Sequence, residues 1–271
     1  MQNDERESIM ANEGFLVMRP FNALFFCIFA VLILILIVAS IFLNKKSEET
    51  RKKVLVIASV ITLIGFVLYK IALSQDPEFD ELRRSVGMGG FNWWGELPLQ
   101  LCNVNMILIP IAVLLDRREL LAFCFFVGPL GALMALTMPG MEFNGFSILL
   151  PRMLGYYGTH FLIVIEGLAV ATLGLYRPKF KDLPRIVLTI LIIAFVVFLI
   201  NMAMRLTGLY PSANYFFAVE TEGNPILELF HSFLPYPFLY LLPCTLILVP
   251  YMALVTLGFY IGDRVRGKKE N

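Results

Sequence analysis

The sequence predicts an all-α, polytopic membrane protein with seven transmembrane helices in one bundle, its N-terminus outside and its C-terminus in the cytoplasm. Three observations carry this. Of 271 residues, 58% are hydrophobic and only 16% charged, against roughly 45–50% and about 25% in water-soluble domains. The apolar residues gather into stretches of the roughly 20 residues that a bilayer crossing needs. The loop charges are asymmetric. The same composition excludes a soluble enzyme and a disordered chain. A balance of 22 basic and 21 acidic residues leaves no positive excess for a phosphate backbone, so no nucleic-acid partner is expected. Membrane lipids are the expected partners, and a cell-membrane location follows.

In chain order, residues 1–20 are an extracytoplasmic segment. Its Asp4, Glu5, Glu7 and Glu13, with no basic leader region, argue against a cleaved signal peptide. The first span, 21–44, contains no charge, and the second, 54–74, contains only Lys70, whose stem can snorkel to the interface. The third and fourth, 97–115 and 120–138, are separated by Asp116–Glu119, a loop so short that they form an antiparallel pair. The fifth and sixth cover 153–176 and 186–204. The seventh, 235–262, is free of charge but carries Pro235, Pro237, Pro243 and Pro250; these prolines, with Pro110 and Pro129, should kink their helices. Residues 263–271 form a basic tail. On the side of that tail lie 15 Lys and Arg residues, against 7 on the other, which assigns the tail side to the cytoplasm.

The four cysteines, Cys27, Cys102, Cys124 and Cys244, sit in separate spans without paired spacing, so neither a disulfide framework nor a zinc site is expected. Two histidines cannot build a multi-histidine metal centre, and the chain lacks a P-loop, a dinucleotide fingerprint and a Gly-x-Ser-x-Gly elbow. No metal and no cofactor is expected.

Polar side chains inside spans are costly and therefore informative. On a helix starting near Leu97, Cys102 lies about 7–8 Å into the membrane. His160, counted from Met153, lies about 10 Å in from the same side. A possible nucleophile and base thus share a depth in the outer half. Cys102 is flanked by Gln100, Asn103 and Asn105 just after Pro98, at a helix entrance whose dipole favours a thiolate. Asn201, Arg205, Asn214, Tyr215, Glu228 and His231 collect on that side too, with Trp93 and Trp94 as interfacial anchors. The bland reading is that Cys27, Cys124 and Cys244 are packing residues and that Tyr156, Tyr157 and Thr159 merely satisfy a core imidazole. Glu166 lies near mid-bilayer, about 240° around the helix from His160, so the two do not share a face.

Glu96–Asn103, ELPLQLCN, resembles the LPLHLC signature of the YwaF-like integral membrane family of bacteria. Gly155–Leu168, with YYGTHFLIVIEGL, resembles that family's histidine-bearing helix, and Ala213-Asn214-Tyr215 resembles its Asn-Tyr element. The similarity covers about residues 54–262. Relatives of this family in animals include a transmembrane cysteine-dependent acyltransferase of ether phospholipids. The resemblance implies that Cys102 is the acyl-accepting cysteine and His160 the essential histidine. The family's histidine two residues before the cysteine is Gln100 here, and glutamine cannot take a proton.

Two function classes follow. In the first, a lipid acyltransferase or transacylase, His160 deprotonates Cys102, Gln100, Asn103 and Asn214 hold the oxyanion, and Arg152 or Arg205 binds the lipid phosphate. In the second, the outer polar pocket is the recognition site of a transporter or of a small-molecule or lipid-binding protein, and Glu166 matters more than Cys102.

Overall fold

The computed structural model describes residues 16–85, 87 and 89–267; the acidic positions 4–13 and the tail beyond 267 lie outside the described residues. Among these, nine α-helices run in order: α1 Ala23–Leu43, α2 Glu48–Leu73, α3 Pro77–Ser85, α4 Val104–Leu114, α5 Arg118–Thr137, α6 Pro151–Thr172, α7 Leu183–Leu206, α8 Pro225–Phe233 and α9 Thr245–Gly267. Six helical stretches, within α1, α2, α5, α6, Phe180–Leu206 and Leu239–Val265, are long and apolar enough to cross a membrane, and α4 is a shorter apolar helix. The chain is therefore a multi-pass integral membrane protein.

Local sequence sets the helix starts. Asn22 accepts from the Phe25 N–H at 2.9 Å to cap α1. Ser47 caps α2, with Glu48 and Glu49 in the first turn where the helix dipole favours them. Asp76 Oδ1 accepts from the N–H groups of both Glu78 and Phe79 at the start of α3. A short antiparallel ladder, β1 Val17–Met18 with β2 Phe146–Ser147, pairs Val17 with Ser147 and Met18 with Phe146. It ties the segment before α1 to the loop before α6.

Helices α2, α4, α5 and α6 form the centre, with α1 against α6, α7 against α5 and α9 against α7. Bare glycine backbones let α5 approach both α6 and α4. A Cβ at Gly167 of α6 would fall 2.6 Å from the Pro129 ring of α5, and one at Gly128 of α5 would fall 1.7 Å from Asn105 Nδ2 of α4. In lipid, where no hydrophobic force separates helix from solvent, such small-residue contacts bring packing atoms together.

Two expected spans differ. The stretch 97–115 is not one helix: residues 97–103 run through turns and the helix begins at Val104. Pro98 removes an N–H and disfavours helix at the residue before it. At the end of this non-helical segment Cys102 and Asn103 are buried. The stretch 235–262 is also broken: Leu239–Cys244 is a 3-10 turn, α9 starts only at Thr245, and α8 precedes the prolines. Phe238 sits at φ +64°, a left-handed turn next to Pro237 that no continuous helix accommodates.

Candidate functional site

The non-helical entry to α4 presents Cys102 inward. Its sulfur donates to Asn103 Oδ1 at 3.6 Å, and its backbone rests on Gly131 of α5, where a Cβ would lie 3.4 Å from the Cys102 nitrogen. Around it are Met106, Met153, Tyr157, Phe161 and Val164 in one buried cluster. His160 enters the same region from α6. Its Nδ1 lies 2.7 Å from the Tyr156 carbonyl oxygen. A carbonyl only accepts, so Nδ1 carries the hydrogen and Nε2 keeps its lone pair.

Tyr156 touches His160 and packs on the cluster that holds Cys102. Its ring is 4.5 Å from the imidazole, stacks on Phe143 at 4.2 Å, and its hydroxyl donates to the Ala135 carbonyl at 2.7 Å. It also lies within electrostatic reach of Cys102. Cys102 and His160 share no hydrogen bond: Cys102 lies in the buried cluster on which Tyr156 packs, and His160, 58 positions on, lies against Tyr156.

A third group joins them. Lys70 does not snorkel: it is buried, its Nζ donates to Glu96 Oε2 at 2.6 Å, and it sits over the Tyr69 ring at 4.4 Å and the Phe66 ring at 5.1 Å. Arg83 of α3 donates to the other oxygen, Glu96 Oε1, at 3.0 Å. Desolvating an ammonium at the end of α2 is tolerable because the Glu96 carboxylate comes down with it. Tyr69 reaches this place because Gly155 has no side chain; a Cβ there would be 2.1 Å from Tyr69 Cδ2.

The other expected residues lie apart or are committed elsewhere. Gln100 Oε1 accepts from the Phe216 N–H at 3.1 Å. Asn214 closes its own loop, donating to the Glu220 carbonyl and the Glu222 carboxylate and accepting from the Val219 and Glu220 N–H groups. A side chain so occupied is not free to cradle an oxyanion. Arg205 donates to the Ala213 carbonyl at 2.7 Å and pairs with Glu220 at 2.8 Å. Arg152 is buried, and its Nη1 pairs with Asp76 at 3.0 Å and Glu78 at 2.8 Å. Its Nε and Nη2 are buried without a hydrogen-bond partner among the described residues. Glu166 accepts from Ser59 at 2.9 Å and from Thr62 at 2.5 Å, both on α2.

Sequence reasoning missed Glu96, Arg83, Tyr69 and the packing of Tyr156 on the cluster that holds Cys102. One signal for the first existed: a lysine in the last turn of an apolar span needs either water or a carboxylate, and Glu96 opens the next apolar stretch. Among the described residues, no three His, Cys, Asp or Glu side chains come together as a metal-holding group.

No curated protein and no solved structure matches the chain. A family model described as the TMEM164 family matches residues 16–256, which takes in α1 to α8, Cys102 and His160, and about half of α9. The chain belongs to the TMEM164 family.

Proposed function

We propose that this membrane protein is a Cys102- and His160-dependent acyltransferase or transacylase acting on phospholipids or lysophospholipids in the outer half of the bilayer. The observation that carries the reading is that His160 lies against Tyr156, which packs on the buried cluster holding Cys102, with the His160 Nδ1–H bound to a carbonyl so that Nε2 is the base. The YwaF-like resemblance of the same segments supports it. The reading includes seven crossings: α4, about 16 Å long at 1.5 Å per residue, spans the hydrocarbon together with the segment 97–103. It keeps the N-terminus outside, since the loop charges favour a cytoplasmic tail.

In this mechanism the Cys102 S–H bond breaks and its proton passes to His160 Nε2. The sulfur electron pair forms a bond to the acyl carbonyl carbon, and the carbonyl pair moves onto oxygen. Asn103, already beside the sulfur, turns its amide N–H groups to that oxyanion. Collapse expels the lipid alkoxide, which takes the proton from His160. An acceptor lysolipid hydroxyl then gives its proton to Nε2, attacks the thioester carbon and releases the Cys102 thiolate, which recovers the proton. The test is acyl exchange onto a labelled lysophospholipid in reconstituted vesicles. Cys102→Ala and His160→Ala are each expected to lower it by at least 100-fold, in the range of lost nucleophile and base contributions; undiminished exchange in either variant defeats the proposal.

One observation favours the second reading. Glu166 is buried between two hydroxyls near mid-bilayer, where intramembrane carboxyls mark ion and solute paths. Solute uptake that depends on Glu166 and survives Cys102→Ala would decide for transport.

A further inference from the structure

The two cations on Glu96 leave a charge over. Lys70 binds Oε2 and Arg83 binds Oε1, so one carboxylate serves two positive groups and the triad carries a net positive charge at the edge of the buried cluster. The side chains of Lys70, Arg83 and Glu96 are all largely withdrawn from the surface. Such a charge is expensive unless a negative one forms beside it. The titratable groups at the buried cluster that holds Cys102 narrow the choice. Tyr69 of α2 and Tyr157 of α6 belong to it and Tyr156 packs on it; Lys70 sits on the Tyr69 ring, His160 lies against Tyr156, and Glu96 ties Lys70 to Arg83, while Gly131 of α5, against the Cys102 backbone, does not titrate. Glu142 acts on Tyr69 and Tyr156 rather than on the thiol. The Lys70 ammonium lies within electrostatic reach of both Cys102 and His160.

We propose that Lys70, fixed by Glu96 and seated on the Tyr69 ring, is a positioning residue whose charge stabilises the Cys102 thiolate and the anion that develops from it. The inference rests on the Cys102 and His160 reading and adds to it the source of electrostatic preorganisation. When the thiol proton moves to His160 Nε2, Lys70 attracts the sulfur anion and repels the imidazolium. The repulsion favours passing that proton onward to the leaving alkoxide. Arg83 keeps Glu96 from cancelling Lys70 outright, and Glu96 keeps the long lysine stem from escaping to the interface.

The test follows Cys102 itself and needs no acyl donor. The purified full chain in lipid nanodiscs is treated with N-ethylmaleimide across a pH series, and modification of Cys102 is quantified by peptide mass spectrometry, so the other three cysteines serve as internal controls. Lys70→Met keeps the apolar stem and removes the charge. Its Cys102 rate near neutral pH should fall about tenfold, with the profile displaced upward by about one pH unit, while Lys70→Arg keeps the wild-type profile within about threefold. Arg83→Gln, which neutralises the triad from its outer side, should shift the profile the same way by less, and it decides the matter should Lys70→Met fail to fold. A Lys70→Met profile that superimposes on wild type overturns the proposal; so does an unshifted Arg83→Gln profile when Lys70→Met cannot be purified. The two readings fail separately. Cys102-dependent acyl exchange with an unshifted profile sinks only the role of Lys70, whereas a shifted profile with no exchange in wild type sinks only the acyl-transfer reading.

Discussion

Replacing Gly155 by alanine tests the packing that delivers Tyr69 and Lys70 to the cluster. The added Cβ would stand 2.1 Å from Tyr69 Cδ2, 2.3 Å from its Cγ and 2.6 Å from its Cβ, against the 3.4–4 Å of ordinary contact. The ring cannot swing clear, because Tyr69 Cβ is itself in the way, so α2 and α6 must part by roughly 1.3 Å. Overpacking of this kind costs about 1–3 kcal/mol, and the better helix propensity of alanine returns about 1 kcal/mol. The expected net loss is about 0–2 kcal/mol, a factor of up to about 30 in the unfolding equilibrium, and about 1–3 kcal/mol relative to a glycine-to-alanine change that meets no such contact. Gly158 is the control: it lies on the same helix, and a Cβ there meets nothing within 4 Å, so Gly158→Ala should be neutral or slightly stabilising. Both variants are compared by reversible unfolding in mixed detergent and sodium dodecyl sulfate micelles. Equal stability of Gly155→Ala and Gly158→Ala would refute the close contact between α2 and α6.

Two further outcomes follow from the buried polar contacts. Glu166→Ala leaves the Ser59 and Thr62 hydroxyls without their acceptor and should destabilise by about 2 kcal/mol, part of the loss being recovered if those hydroxyls turn to their own helix carbonyls. Glu166→Gln keeps an acceptor and should lose under about 1 kcal/mol in the same unfolding assay; the reverse order would show that the hydroxyls do not hold this group. Asn201 is wholly buried and grips Tyr215 twice, donating to its carbonyl and accepting from its N–H, each at 2.9 Å. Asn201→Leu orphans both backbone groups at about 1–3 kcal/mol each, so amide exchange across residues 213–218 should quicken by tenfold or more, and unchanged exchange would disprove the anchor.

Much of the architecture was legible because lipid imposes a one-dimensional rule: a crossing must be a long apolar stretch, and a polar residue inside it is an exception that stands out. The rule found Phe21–Asn44 and marked Cys102, His160 and Glu166. It failed at Leu97 and Pro235, where composition stays apolar but proline decides whether the backbone is helical. It also treated each charge alone. Lys70 read as a snorkelling residue because its acceptor, Glu96, is 26 positions away, and Arg152 read as a free phosphate ligand because Asp76 and Glu78 are more than 70 positions away.

The sequence by itself determined that the chain lies in a membrane and which few residues there demand an explanation, since hydropathy is a property of each segment alone. Only the tertiary structure decided which of those residues meet. Partners for a buried charge depend on which helix faces pack together, and that is set by close approaches such as Gly155 on Tyr69, Gly167 on Pro129 and Gly131 on Cys102. Steric fit between distant segments leaves no local trace in composition, so the meeting of Lys70 and Arg83 on Glu96 emerges only when α2, α3 and the turns before α4 are assembled.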